Sequence, residues 1–310
     1  MTLRTATLIL MACVLPTMAG CPAGRVDRRV TLHYTDSQRM FLVPVSRVIT
    51  TSTKVDAALE ETLATLTEPP SRDLRPALAS GSHVTVHAVK GPHVELDVTL
   101  PDHGGGSGDE QFMASALVRT AATVVPLEDV RLRLLTPAGK PVTGTHLDLD
   151  RAFSPTDPTF ENLYEGGEDT GIAVMVYYPL RSDSLLTPVR IPLASTAGTE
   201  PVRETFVRWH DGPPEDLQAF LTGARATGTR LSWAGLHDGE ATVVWQNAPE
   251  ATPSAIALRS LVLTLTEYSR VQRVRLVSPS GPIQARIGPF DLGNSLERPD
   301  EVNTWPERAS

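Results

Sequence analysis

Short runs of alternating hydrophobicity are interleaved along the chain with longer stretches of helical spacing. Val30, Leu32 and Tyr34 alternate with polar neighbours and predict a strand. Asp36 to Arg39 read as a turn, and Phe41 to Val48 as a second strand interrupted by Pro44. A proline there gives up a ladder donor, which places that strand at a sheet edge or a bulge. Val55, Ala58, Leu59, Thr62, Leu63 and Leu66 then fall on one helical face, and Pro69 with Pro70 ends the helix. Val84, Val86 and Val89 run out, Gly91 and Pro92 turn the chain, and Val94, Leu96 and Val98 return as a hairpin. A glycine-rich loop at 104–108 leads to a second helix from about Glu110, with Phe112, Ala116, Leu117, Ala121 and Val124 inward. A last strand, Val130 to Leu135, ends at the turn Thr136 to Gly139, and a short strand is expected near Leu147. The order is β-β-α-β-β-α-β. Helices are too few to cover both faces of a parallel sheet, so the pattern predicts an α+β fold, a mostly antiparallel sheet with two helices on one face.

The whole pattern then recurs. Val30 to Tyr34 match Val174 to Tyr178, Leu42, Pro44 and Val45 match Leu186, Pro188 and Val189, and Glu60 matches Glu204 at one constant offset of 144 residues. Pro69 and Pro70 meet Pro213 and Pro214 in the same register. After a three-residue shift, Gly81 meets Gly228, and the strand at Val94, Leu96 and Val98 meets Ala241, Val243 and Trp245. The first offset returns for Leu117 and Val118 against Leu261 and Val262, and for Val130 to Leu132 against Val274 to Leu276. A repeat of this length is a tandem pair of domains and not a solenoid. The expected boundaries are a first domain at 30–152, a linker rich in proline, glycine and acid at 153–171, a second domain at 172–298, and a flexible tail at 299–310.

The N-terminus reads as an address. Arg4 precedes an apolar run from Leu8 to Leu15, too short to anchor across about 30 Å of hydrocarbon, so 1–20 fit a secretory signal. Met18, Ala19 and Gly20 before Cys21 resemble a lipobox, with methionine where leucine is usual. Cys21 is the expected lipid-attachment residue, and 21–29 the lipidated tether.

Composition narrows the function. The 310 residues carry 28 basic and 36 acidic side chains, a net charge of −8, with no basic cluster, which argues against nucleic acid as a partner. The two cysteines, Cys13 and Cys21, both lie near the N-terminus, leaving no disulfide framework and no thiol nucleophile downstream.

Metal binding has one candidate set. In the predicted hairpin, His83, Thr85 and His87 on one strand and His93, Glu95 and Asp97 on the other point away from the valines. Imidazole with carboxylate suits zinc. The second copy has Arg230, Ser232 and Ala234 facing Thr242, Val244 and Gln246, so a site common to both domains is excluded, and a solvated polar face is the expectation for His83, His87 and His93. The loop at 104–108 lacks the Gly-Lys-Ser/Thr that a phosphate loop needs, and Asp109 and Glu110 would repel phosphate. No nucleophile elbow or zinc-protease motif is present, so no catalytic residue and no cofactor are assigned. Trp209, Trp233 and Trp245 fall at inward positions and are expected in the core, whereas Trp305 lies in the tail.

The order of elements carries a resemblance. A strand ending in tyrosine, the Leu-x-Pro-Val segments at Leu42 and Leu186, the Gly-x-x-Val hairpin, and the Val-Arg-Leu strand before a Pro-x-Gly turn resemble the GerMN domain family, over about 30–150 and 172–296. Two such domains behind a lipobox resemble GerMN-domain lipoproteins. The resemblance implies a non-enzymatic extracytoplasmic protein tied to sporulation, cell-wall work or germination, and similarity to ring-building modules of channel complexes. The expected function is therefore a membrane-tethered assembly or interaction module whose partners are envelope proteins. A peptidoglycan or small-ligand binder is the alternative, and a wall-polymer hydrolase the third reading.

Overall fold

The computed structural model describes residues 24–69, 71–101, 107–162, 164, 173–182, 184–193, 201–224, 228–248, 253–281 and 283–304. Residues 1–23, which include Cys21 and the segment read as a secretory signal, most of the 104–108 loop and Trp305 lie outside them.

The first copy contains β1 (Arg25–Asp36), β2 (Leu42–Ser52), α1 (Val55–Ala64), β3 (Leu74–Arg75), β4 (His83–Lys90), β5 (His93–Thr99), α2 (Ser107–Val124) and β6 (Asp129–Leu135). The second contains β7 (Ala173–Pro179), β8 (Leu186–Pro192), α3 (Pro201–Asp211), β9 (Leu231–His237), β10 (Glu240–Trp245), α4 (Ala255–Leu265) and β11 (Arg273–Val277). It closes with the short strands β12 (Arg286–Ile287), β13 (Phe290–Asp291) and β14 (Leu296–Glu297). The fold is α+β and duplicated, as the hydrophobic pattern predicts.

The single sheet expected per domain is divided. The first copy has two three-stranded sheets, β2-β1-β3 and β4-β5-β6. The second has the pair β7-β8 and the sheet β14-β11-β10-β9. Within them β5 and β6 are parallel, as are β10 and β11, because α2 and α4 carry the chain back to the same end before the last strand begins. The other pairings between these strands are antiparallel.

Register repeats with the sequence. Leu32 faces Val45 and Tyr34 faces Val43 in the first copy; Val176 faces Val189 and Tyr178 faces Thr187 in the second. Both tyrosines are fully buried. The Tyr34 hydroxyl bonds the carbonyls of Thr65 (3.1 Å) and Glu68 (3.2 Å) beyond the end of α1. Tyr178 likewise reaches Arg208 (2.9 Å) and Gly212 (3.1 Å) at the end of α3. Each tyrosine thus pins the first strand of its copy to the helix end, where orphan carbonyls need donors.

Three expectations change. β1 begins at Arg25 and not near Val30, so 25–29, read as tether, are strand. These residues project past the core, and their charged run hides the alternation. No strand forms at Leu147; the bridges beside β6 come from Pro141 and Phe153. Trp209 and Trp245 are core, but Trp233 is only half-buried, because β9 is the outermost strand of its sheet.

Candidate functional site

The histidine set is not brought together. His83 pairs with Thr99 at one end of the β4–β5 ladder and His93 with Lys90 at the other. His87 occupies a bulge between Val86 and Ala88. All three imidazoles are exposed, and two have their own partners. The Nδ1 atom of His87 lies 3.1 Å from Arg133 and 3.8 Å from Asp97, and that of His93 lies 2.8 Å from Asp129. Arg133 in turn bonds Asp97 at 2.6 Å through both Nε and Nη2. Among the described residues no group of three or more His, Cys, Asp or Glu could hold a metal ion. His87 and His93 therefore sit in separate exposed polar contacts, with His83 apart from both, and the three do not form a ligand cluster.

The organised polar chemistry lies elsewhere, at the seam where the copies meet. Two asparagines carry it. Asn162, in the segment read as linker, accepts from Leu42 N (2.7 Å) and donates to Leu42 O (2.9 Å) and Pro188 O (2.7 Å). Asn303, in the segment read as flexible tail, accepts from Leu186 N (2.7 Å) and donates to Leu186 O and Pro44 O, both at 2.7 Å. Leu42 and Pro44 are the sequence counterparts of Leu186 and Pro188. The arrangement is therefore reciprocal. Exchanging the two copies turns one asparagine's bonds into the other's, as at an isologous interface.

The backbone repeats this exchange. Ser46 N donates to Asn303 O (2.7 Å), and its counterpart Arg190 donates to Asn162 O (2.8 Å). The segment trailing each copy adds to the second strand of the other. Both proline-bearing strands, β2 and β8, lie at an edge of their sheets, as predicted, and the asparagine side-chain N–H groups donate to the carbonyls of Pro44 and Pro188 there. Asn303 is 4 % exposed, so the start of the tail is docked and not loose. Phe41 packs edge-to-face on Phe220 at 6.2 Å across the seam, and buried side chains of both copies form one continuous core.

The seam's flanks carry buried titratable groups. His33 on β1 is buried, its backbone N–H donating to Thr120 Oγ1 at 3.2 Å. Burial, assisted by the positive Arg119, lowers its pKa to about 3 and keeps it neutral. Its counterpart Tyr177 repeats the backbone contact through Thr264 at 3.1 Å. The Tyr177 hydroxyl donates to Glu267 (3.0 Å) and accepts from Arg298 (3.1 Å), and burial pushes its pKa far up. Arg119 lies within electrostatic reach of both Glu161 and Tyr177. These groups are paired for structure, with no open nucleophile–base pair among them.

Sequence reasoning missed both asparagines. The signal was present, since Pro158, Asn162 and Tyr164 recur as Pro299, Asn303 and Trp305 at an offset of 141. The shift from 144 and the loop-like composition hid it.

Comparison with known proteins follows the same outline. Residues 31–135 match the Germane family, described as sporulation and spore germination. No curated protein matches the sequence. The chain is similar to the tandem GerMN domains of the sporulation protein GerM from Bacillus subtilis, at 20% identity over 91% of this chain and 100% of that one, with a TM-score of 0.57. The first GerMN domain of the same protein, solved alone, aligns at 20% identity over 38% of this chain and 94% of that one, with a TM-score of 0.26. At such identity the tandem match establishes a shared fold.

Proposed function

Taking a tandem GerMN fold as the premise, we propose that this chain is a lipid-tethered, non-enzymatic interaction module of the cell envelope, working in sporulation or germination. The reciprocal seam is the observation that carries this reading. Two copies locked edge to edge present a fixed pair of surfaces, which suits an assembly component better than a catalyst needing a cleft. Cys21 would carry the lipid and hold the body close to the bilayer, since a chain spans at most about 3.5 Å per residue and β1 begins at Arg25. Sporulation enters from the family match over 31–135 and from the relative of known name. Among the described residues no helix is long and apolar enough to cross a membrane.

The test immobilises the purified full chain and challenges it, in parallel, with detergent-solubilised envelope proteins and with purified peptidoglycan. Selective retention of envelope proteins supports the reading. Retention of peptidoglycan alone would move the protein to the polymer-binding class.

A further inference from the structure

The two copies differ at one place where the fold invites a partner. In the first copy, α1 lies along β4, and Glu60 turns its carboxylate onto the outer edge of that strand, accepting from Val86 N at 2.8 Å. An edge N–H that would otherwise seek a partner is thereby capped from within. In the second copy the counterpart of Glu60 is Glu204, and that of Val86 is Trp233. Glu204 does not reach the strand. It pairs with Arg208 one turn on, at 3.2 Å. In the first copy the residue four beyond Glu60 is Ala64, which makes no such claim on the carboxylate.

The result is an open groove of about 750 Å³ between α3 and the free edge of β9. Its walls are Phe206 and His210 on the helix and Ser232, Trp233 and Gly235 on the strand. Phe206 stacks obliquely on both Trp233 (5.9 Å) and His210 (5.8 Å), so the floor is aromatic. β9 bulges between Trp233 and Gly235, at the place where β4 bulges at His87, so the strand edges correspond residue for residue. A side chain at Gly235 would meet open space. At the N-terminal end of α3, Arg203 is exposed, with no ion-pair partner among the described residues.

We propose that this groove accepts an extended segment of a partner protein, which adds a strand to the edge of β9 beneath α3. A strand laid between a sheet edge and a helix is a general mode of peptide recognition, in which main-chain bonds give affinity and alternate side chains give specificity. Glu60 shows the chemistry such an edge takes, an acceptor oxygen on an outward N–H; a peptide carbonyl supplies the same at β9. The segment would seat an apolar side chain against Trp233 and Phe206, and a carboxylate matches the charge at the Arg203 end of the groove, away from Asp211, which lines it at the other end of α3. The inference rests on the interaction-module reading and names its site.

The probe is a phage-displayed library of random dodecapeptides, selected on the purified full chain. Enriched peptides are synthesised with a fluorophore and titrated by polarisation. The expected result is a motif of alternating polar and apolar residues with an acidic position, bound roughly tenfold or more weakly by Trp233→Ala, as for a buried aromatic anchor. Arg208→Ala is the second variant. It frees Glu204 to cap the strand as Glu60 does, and should weaken binding about fivefold or more without touching the groove floor. Failure to enrich any peptide, or equal binding by wild type and both variants, overturns the proposal. So does concentration-dependent dimerisation lost in Trp233→Ala, which assigns the groove to a second copy. If envelope proteins are still retained by the chain in that event, only the groove has failed and the wider reading stands.

Discussion

Asn303→Ala removes the amide that joins the second strands of the two domains. The wild-type side chain makes three hydrogen bonds, to Leu186 N, Leu186 O and Pro44 O, each at 2.7 Å and buried. A buried polar group left without a partner costs about 1–3 kcal/mol, more than the net worth of the bond itself. Truncation orphans three such groups, and some are recovered by water entering from the tail side. The expected loss is therefore about 3 kcal/mol or more. The assay is urea unfolding followed by far-UV circular dichroism, which reads both domains, and by tryptophan fluorescence, in which Trp209 and Trp245 report the second domain's core alone, since the first domain carries no tryptophan. Wild type should unfold in one transition, because the continuous core and the seam couple the copies. Asn303→Ala with Asn162→Ala should divide that transition in two. A loss below about 1 kcal/mol for Asn303→Ala, with a single unchanged transition for the pair, would refute the claim that the asparagines hold the seam.

Further outcomes follow from the same structure. His33 is buried neutral with a pKa near 3, against an unfolded value of 6.5. Below pH 6.5 the unfolded chain takes a proton that the native chain refuses, so stability falls as pH drops toward 3, by about 1.4 kcal/mol per unit. His33→Phe should flatten the urea midpoint between pH 7.5 and 4.5 relative to wild type; an equal slope in both would remove His33 as the cause. Tyr178→Phe should cost about 1–2 kcal/mol by orphaning the carbonyls of Arg208 and Gly212, and Tyr34→Phe a similar amount. Thermal melts would read both. Metabolic labelling with a fatty-acid analogue should mark wild type and not Cys21→Ala, and equal label in both would discard the lipid attachment.

The strands, helices and duplication were legible because each copy buries one face, and burial writes itself into periodicity. Tyr34 and Tyr178, Leu32 and Val176, Trp209 and Trp245 could all be placed inward from spacing alone. The division into separate sheets was not, since whether β6 runs parallel to β5 depends on where α2 returns the chain. The bulge at His87 was missed, although it leaves a trace in the three-residue step from Val86 to Val89 in a strand otherwise of period two. The seam was hardest to see. Asn162 and Asn303 bond main-chain atoms of strands far off in sequence, and their own neighbours show no period. Only the recurrence of proline, asparagine and an aromatic residue marks them. The histidine candidates were read from residue type and strand alternation, which put them on one face, but the ladder separates them along it because their register differs.

The central claim is that a rigid pair of GerMN-type domains, held at the membrane, binds proteins of the envelope. In-cell crosslinking followed by affinity purification from native membranes, comparing wild type with Cys21→Ala, tests it most directly. The account predicts a defined set of envelope proteins with wild type that is lost when Cys21→Ala leaves the membrane. Recovery of the chain alone, alike in both forms, would contradict it.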